Sequence, residues 1–572
     1  MNIFNFFSNK IKKSIIENKK VLDIEKIDNS LSIQIESPPI EFNSDLSTNI
    51  AMVLGKLNKK NPKILAVSIK KLLESKFKDF KSIEIAGSGF LNINLSDSFL
   101  MNFVNLVLKD QDKYGSNKLK KKYNIEFVSA NPTGPLHVGH CRGAIYGDVL
   151  ANLIKFNGGN VVKEYYINDY GSQIFNFTKS VYLRLREIKF NETFVNNQNL
   201  YPGEYIKDIA SEILKENSDM DVDDFKKSFE KLKKLSLDGS MKLIKRDLKN
   251  LGIIHDNFIS ENDLVKKKLI TKVIKKLEKA KYVKLGYLQP PKGEEKKDWK
   301  KIKRLIFKSS IFGDDSDRAL QKNDGSWTYF ANDVAYHSNK VDRKFDILIN
   351  ILGADHIGYI KRITSAVDAL SNKKVNLYCK VCQLVKLYKD GKPFKMSKRA
   401  GEFITVSDLL KEVNKDSIRF MMLNRNNDVE LDFDFNKVIE KTKENPIYYV
   451  QYCYARICSI YRSLGKSLDE NHSLNKKIEL NDYENKLLRK VVNWPKIIES
   501  SVNKYEPHRI IYYLYDLATL FHGYWSKGNE NKKYRLIIDG KIKNESLIIL
   551  KLVSIVIKNG MDIIGVSLPQ KM

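Results

Sequence analysis

The chain has 572 residues, of which 42% are hydrophobic and 29% charged, so several packed domains are expected and wholesale disorder is excluded. Lysine and arginine number 99 against 69 aspartates and glutamates, a formal net charge of +30; this excludes an acidic solvating protein and favours a polyanionic partner such as nucleic acid, although a general lysine bias accounts for the excess equally well. Five cysteines argue against a disulfide-stapled secreted chain and fit a reducing compartment, and no window of about 18 apolar residues lacks charges, so no membrane-spanning helix is expected.

The first ten residues place aromatics before lysines, the reverse of a secretory signal, so an amphipathic first helix in a cytoplasmic protein is expected. Residues 1–112 read as a small α+β domain. Apolar alternation marks Leu31-Ser-Ile-Gln-Ile-Glu36, a lysine-rich helix surrounds Lys70, and Ser82–Ala86 and Phe90–Leu95 read as strands. Asp110–Tyr123 is polar and basic, a linker. Tyr123–Val128 then reads as a buried strand, followed by a Pro/Gly loop and a helix opening near Val138, the entry of a doubly wound α/β domain. From about 175 to 300 the pattern is helical and highly charged and reads as an insertion; strands resume at Arg304–Phe307 and Phe345–Leu352. Cys379 and Cys382 form a lone C-x-x-C inside the strand-like stretch Val375–Val385. With no second pair of ligands they read as small buried hydrophobes, not a zinc site. From about Glu440 long helices take over. Tyr448, Tyr449, Tyr452, Tyr454 and Tyr461 crowd one region, and residues 441–572 carry 22 lysines and arginines against 13 acids, which predicts a basic all-α domain.

Two stretches carry chemistry. In Ser129-Ala-Asn-Pro-Thr-Gly-Pro-Leu-His-Val-Gly-His140, two histidines stand three apart where a strand turns into a helix. A bare H-x-x-H suits zinc, but no glutamate follows the first histidine, and Gly139 leaves space beside the backbone. A helix N-terminus offers N–H groups and a positive dipole to a triphosphate, two imidazoles can donate to phosphate oxygens, and Pro132, Gly134 and Pro135 shape the entry. The second, Asp390-Gly-Lys-Pro-Phe-Lys-Met-Ser-Lys-Arg-Ala-Gly401, puts cations around Met396 and Ser397 between glycines that allow movement. By itself it reads first as a basic surface loop.

H-x-G-H early and K-M-S-K late in one α/β domain resembles the class I aminoacyl-tRNA synthetases, and the surroundings resemble the arginyl-tRNA synthetase family. The matching blocks are Glu126–His140, Tyr165–Gln173, Tyr329–His337, Leu352–Tyr359, Asn445–Arg456 and Ile564–Met572. The resemblance runs from about residue 120 to the last residue and is weaker before that. It implies a multidomain α/β protein: an α+β N-terminal domain (1–112) touching the tRNA elbow, a doubly wound Rossmann-type catalytic domain (113–440, with the helical insertion at about 175–300), and an all-α anticodon-binding domain (441–572). It further implies a cytoplasmic, monomeric ligase acting on L-arginine, ATP and tRNA(Arg), with Mg²⁺ carried by ATP and no structural metal, in which tRNA is needed even for activation.

The resemblance places Pro135, His137, Gly139, His140, Lys395, Met396, Ser397 and Lys398 around ATP, with His137, His140, Lys395 and Lys398 catalytic. It places Glu126, Tyr329 and Asp333 at the guanidinium, and Asn131 at the α-amino group with Asp355 or His356. The residues themselves fit: Tyr329 and Asp333, four apart, share a face if helical, and a guanidinium requires acceptors in fork geometry. Cys141, Asn332 and Arg399 depart from the usual residues without removing a needed charge or donor. Three rivals stand beside this reading. A cysteine-specific class I synthetase would use zinc, a tRNA-binding paralogue would have lost the histidines, the lysines or the C-terminal domain, and a general H-x-G-H nucleotidyltransferase would be shorter.

Overall fold

The computed structural model describes residues 1–27, 33–39, 42–197, 199–288, 302–394, 404–474 and 479–572. The chain forms two compact units, residues 119–440 and residues 1–118 with 441–572.

The first unit is built on a parallel sheet: β1 (Lys122–Glu126), β2 (Asn160–Ile167), β3 (Asn257–Ser260), β4 (Ile347–Gly353) and β5 (Asn376–Cys382), in the spatial order β5-β4-β1-β2-β3. The chain leaves β1 toward β2 and returns to its other side at β4, so a switch point opens beyond the carboxyl ends of β1 and β4. The near-continuous apolar run of β4 follows from cover on both faces. Leu348 packs with Val367 of one helix, while Ile351, three residues on and so on the opposite face, approaches Gly143 of another. The helices are α1 (Val138–Phe156), α2 (Tyr329–Asp342) and α3 (Ile360–Ser371). Twelve residues of α1 are buried, among them Arg142 and Asp148. Gly147 lets α1 pass its neighbour closely, since a Cβ there would meet the Phe127 side chain at 2.3 Å.

Two stretches differ from expectation. The charged region 175–300 holds helices Ser172–Phe190, Glu204–Glu216 and Phe225–Asn250, but its four-residue strand β3 returns to the main sheet as an edge. Arg304–Phe307 joins a small antiparallel sheet with Val283–Gly286 and Arg318–Ala319. The four residues of β3 are too few for a period-2 signal to emerge from their charged flanks, whereas Arg304–Phe307 is the expected strand in a separate sheet.

In the second unit, an antiparallel sheet of Ile35–Glu36, Leu46–Thr48, Phe90–Leu95 and Phe80–Ala86 packs with helices Ile3–Glu17, Ile50–Asn58 and Pro62–Lys76, and helix Asp97–Asp110 lays Phe99 on Phe6 and Phe7 of the first of these. Leu31 and Ser32 of the expected first strand lie outside the described residues. Four long helices, Pro446–Ser463, Asp482–Lys504, His508–Glu530 and Asn544–Ile564, make up the C-terminal part. The start of the expected linker is anchored on them: the Trp494 indole donates to the Tyr114 carbonyl at 3.0 Å, and the Tyr114 hydroxyl donates to the Val491 carbonyl at 2.8 Å. Among the described residues no helix is long and apolar enough to cross a membrane.

Candidate active site

His137 is the N-cap of α1, with extended backbone (φ −111°, ψ 168°). Its Nδ1 accepts the Gly139 N–H at 3.1 Å, and His140 Nδ1 accepts the His137 N–H at 3.2 Å. Two imidazoles thus form the reciprocal cap usually made by a hydroxyl and a carboxylate. Their ring centroids are 3.8 Å apart. A Cβ on residue 139 would sit 2.9 Å from the His137 ring, which accounts for the glycine. Because both Nδ1 atoms accept, each neutral ring carries its proton on Nε2 as a donor. Burial lowers the His137 pKa, and burial and then His137 lower that of His140 to about 3. Both rings are therefore neutral donors at pH 7, beside the N–H groups of a helix start.

The loop between β1 and α1 is held from β2. Val128 and Ser129 have φ of +69° and +41°, a left-handed conformation costing on the order of 1–3 kcal/mol per residue. The Ser129 hydroxyl accepts the Tyr166 N–H at 3.1 Å and donates to Glu126 Oε1 at 3.0 Å; the Tyr165 hydroxyl donates to the Ala130 carbonyl at 2.8 Å. On the other side the chain just after the lysine-rich loop is stitched to the entry of α1. Val138 N–H donates to the Ile404 carbonyl and Val406 N–H to the Leu136 carbonyl, both at 2.9 Å. Asp247 joins them, accepting from Leu136 N–H at 3.2 Å and Ser407 Oγ at 3.0 Å. Lys395, Met396, Ser397 and Lys398 lie outside the described residues, but the segment that follows them is fastened to the histidine turn.

Beyond the ends of β1 and β2 the side chains become acidic. Carboxylates of Glu261, Asp333, Glu126 and Asp169 surround Tyr166, whose ring stacks on Tyr336 at 4.1 Å. Thr328 Oγ1 caps α2 by accepting the Ala331 N–H at 3.3 Å. Tyr329 and Asp333 are one turn apart on that helix; Tyr329 is 73% exposed, whereas Asp333 is half-buried and accepts the Tyr359 hydroxyl. Burial, then Glu126 and Glu261, push the Asp333 pKa up to about 7 against the Tyr359 hydrogen bond. Glu261, which accepts from Asn332 Nδ2 at 2.7 Å, is raised to about 6, mainly by burial. A cation entering this pocket displaces the Asp333 proton. The affinity for a guanidinium ligand is therefore expected to rise about tenfold per pH unit below about 7 and to level off above. Calorimetric titration of arginine between pH 5.5 and 8.5 checks this.

Other expected residues are placed as follows. Asn131 donates to Gln173 Oε1 at 2.8 Å and accepts from Asn168 at 3.1 Å. Asp355 and His356 lie on the 3₁₀ turn after β4, exposed and 3.2 Å from one another. Asn131, Asp355 and His356 thus share the switch-point end of the sheet, with contacts that join Asp355 to His356 but neither to Asn131. Pro135 enters the histidine turn, half-buried. Cys379 and Cys382 are three apart on β5, hence on opposite faces, and burial raises both thiols to about 12. Among the described residues no group of three or more His, Cys, Asp or Glu could hold a metal. Glu261, Tyr359, Asp247 and Lys340 were not singled out from sequence; each lies far from the motif it serves, and only Tyr359 falls inside a recognised block.

A histidine-capped helix at the switch point of a parallel sheet, with the segment that follows the K-M-S-K sequence bonded to its entry, defines a class I aminoacyl-tRNA synthetase catalytic domain. Residues 103–461 match the family model "tRNA synthetases class I (R), catalytic domain", residues 6–95 match "Arginyl tRNA synthetase N terminal domain", and residues 450–572 match "DALR anticodon binding domain". The chain is 52% identical to the arginine–tRNA ligase of Pelagibacter ubique and 44% identical to that of Bartonella bacilliformis, with both chains of each pair covered in full. The structure of Thermus thermophilus arginyl-tRNA synthetase superposes with a TM-score of 0.72 over all of both chains at 18% identity, a likeness of fold. The chain belongs to the arginyl-tRNA synthetase family.

Proposed function

We propose that this chain activates L-arginine with ATP, giving arginyl-adenylate and pyrophosphate, and then transfers arginine to the terminal ribose of tRNA(Arg), releasing AMP. The observation that carries the reading is the cluster of carboxylates around Tyr166, in the same α/β unit as the imidazole-capped start of α1.

The attacking carboxylate of arginine is ionised at neutral pH, so the first step needs no general base. Its barrier is the charge that grows on the phosphates, and catalysis is alignment with electrostatic stabilisation. In this reading His137 and His140 donate through Nε2–H to phosphate oxygens near the helix start, with Pro135 and Gly139 shaping the approach. Lys395 and Lys398, with Met396 and Ser397 between them, meet the departing pyrophosphate. Mg²⁺ enters with ATP and neutralises part of its charge. Glu126, Asp333 and Tyr329 take the guanidinium, and Asn131, with Asp355 or His356, takes the α-amino group. Residues 1–112 and the basic helices of 441–572 grip the tRNA on either side of the catalytic residues 113–440 in the sequence. Tyr448, Tyr449 and Tyr452 of Pro446–Ser463 supply stacking platforms for unpaired bases, whereas Tyr454 and Tyr461 are buried in the core. We further propose that the enzyme works as a cytoplasmic monomer.

The test is attachment of radiolabelled arginine, lysine and cysteine to total tRNA with ATP and Mg²⁺. Arginine-only charging is expected, because lysine loses the fork and leaves buried acceptors unpaired. Folded protein that charges no arginine to intact tRNA overturns the reading.

A further inference from the structure

Lys340 lies two turns after Asp333 on α2 and is fully buried. Its ammonium pairs with Glu126 Oε2, donates to Asn350 Oδ1 at 3.0 Å, and sits 4.5 Å over the Tyr336 ring. Asn350 Nδ2 donates in turn to His337 Nε2 at 2.9 Å, which leaves Nδ1–H of that ring to donate to the Asp333 carbonyl at 2.9 Å. One hydrogen-bonded chain therefore runs from Glu126 through Lys340, Asn350 and His337 to the backbone of Asp333.

A pocket meant for a substrate cation has no evident need of a resident one, and an unpaired buried ammonium is among the costliest groups a fold can hold. The surroundings supply the reason. Glu126 shares its region with Asp333, Glu261 and Glu164. Glu164 is answered by Arg343, through Nη2 to Oε1 at 2.8 Å and through Nη1 to Oε2. Among the described residues, the Asp333 carboxylate accepts from a tyrosine hydroxyl and that of Glu261 from an amide. His337 is held neutral, its pKa lowered to about 3 by burial and then by Lys340. Among the described residues, the ammonium that meets Glu126 is that of Lys340.

We propose that Lys340 is a positioning residue for arginine: it pins Glu126 Oε2, while Ser129 fixes Oε1, so that the carboxylate is pre-set to accept the guanidinium. The role rests on the arginine reading above and deepens it. Without the ammonium, Oε2 of Glu126 loses its partner, and arginine must itself order the carboxylate on binding.

The test is steady-state tRNA charging by the full chain carrying Lys340→Met, Glu126→Gln or both, with folding checked by circular dichroism. Lys340→Met is expected to raise the arginine KM about 10- to 100-fold while kcat stays within about threefold and the ATP KM is unchanged. Inhibition by citrulline, the uncharged isostere of arginine, should change far less, so discrimination between the two narrows. In the Glu126→Gln background Lys340→Met should add less than about threefold, because its effect runs through the missing carboxylate. An unchanged arginine KM, an undiminished effect in the Glu126→Gln background, or a fall in kcat alone overturns the role. If Lys340→Met does not fold, Lys340→Gln carries the same expectations. Wild-type protein that charges no arginine refutes the underlying reading instead, so the two failures are distinct.

Discussion

Asp333→Ala is expected to lower kcat/KM for arginine in tRNA charging by about 10³-fold, most of it as a higher KM for arginine, with the KM for ATP little changed. The argument starts from burial. Asp333 sits on α2 between Glu126 and Glu261, with the Tyr359 hydroxyl as its fixed partner, and its carboxylate is uncomfortable enough to hold a proton near neutrality. A guanidinium relieves that discomfort and gains a charge-assisted bond in a partly dry site. Removing one member of such a pair costs about 3–5 kcal/mol, roughly 10²–10⁴ in affinity. Asp333→Asn, which still accepts the tyrosine hydroxyl but carries no charge, is expected to fall almost as far. That comparison separates charge from shape. An Asp333→Ala enzyme with a normal arginine KM would remove this residue from the pocket.

His140→Ala is expected to reduce kcat for charging by about 10²–10³-fold, the usual effect of losing one donor to developing charge. The side chain also has a structural task, since its Nδ1 accepts the His137 N–H in the cap of α1. The two tasks use different nitrogens. His140→Asn keeps an acceptor near Nδ1 and loses the reach of Nε2, so it should keep the thermal stability of the wild type yet show nearly the same loss of rate. His140→Gln, with its amide nearer the position of Nε2, should recover part of the rate and not the cap. Melting curves beside single-turnover rates decide the matter. If Asn restores the rate, His140 acts through the cap alone and the donor role is wrong.

Much of the catalytic frame was legible before any coordinates. The Pro/Gly-rich turn into His137 and His140 marks a strand ending and a helix beginning, because such a turn needs residues that set or free the backbone, and the helix does open at Val138. Tyr329 and Asp333 read as one helical face, and α2 runs through both. The long apolar periods near the C-terminus read as helices and are helices. Less legible were β3, four residues among charged helices, and Asp110–Tyr123, whose polar composition hid a wholly buried Tyr114.

What the sequence determined by itself was local: element types, the strand-to-helix turn that carries His137, Gly139 and His140, and the residue chemistry fit for phosphate and guanidinium. These follow from spacing and backbone sterics within a few residues. Only the tertiary structure decided which distant groups meet. Glu126 ends β1, Glu261 opens a short helix after β3, Asp333 and Lys340 ride α2, and Tyr359 follows β4. Periodicity records that a face is covered and not what covers it, so neither the acid cluster nor the buried ammonium beneath Glu126 is written in any single stretch. The same holds for the pairing of Leu136 and Val138 with Ile404 and Val406. Those bonds join segments more than 260 residues apart, and the parallel sheet brings both to its carboxyl edge, where the switch point leaves room for a ligand.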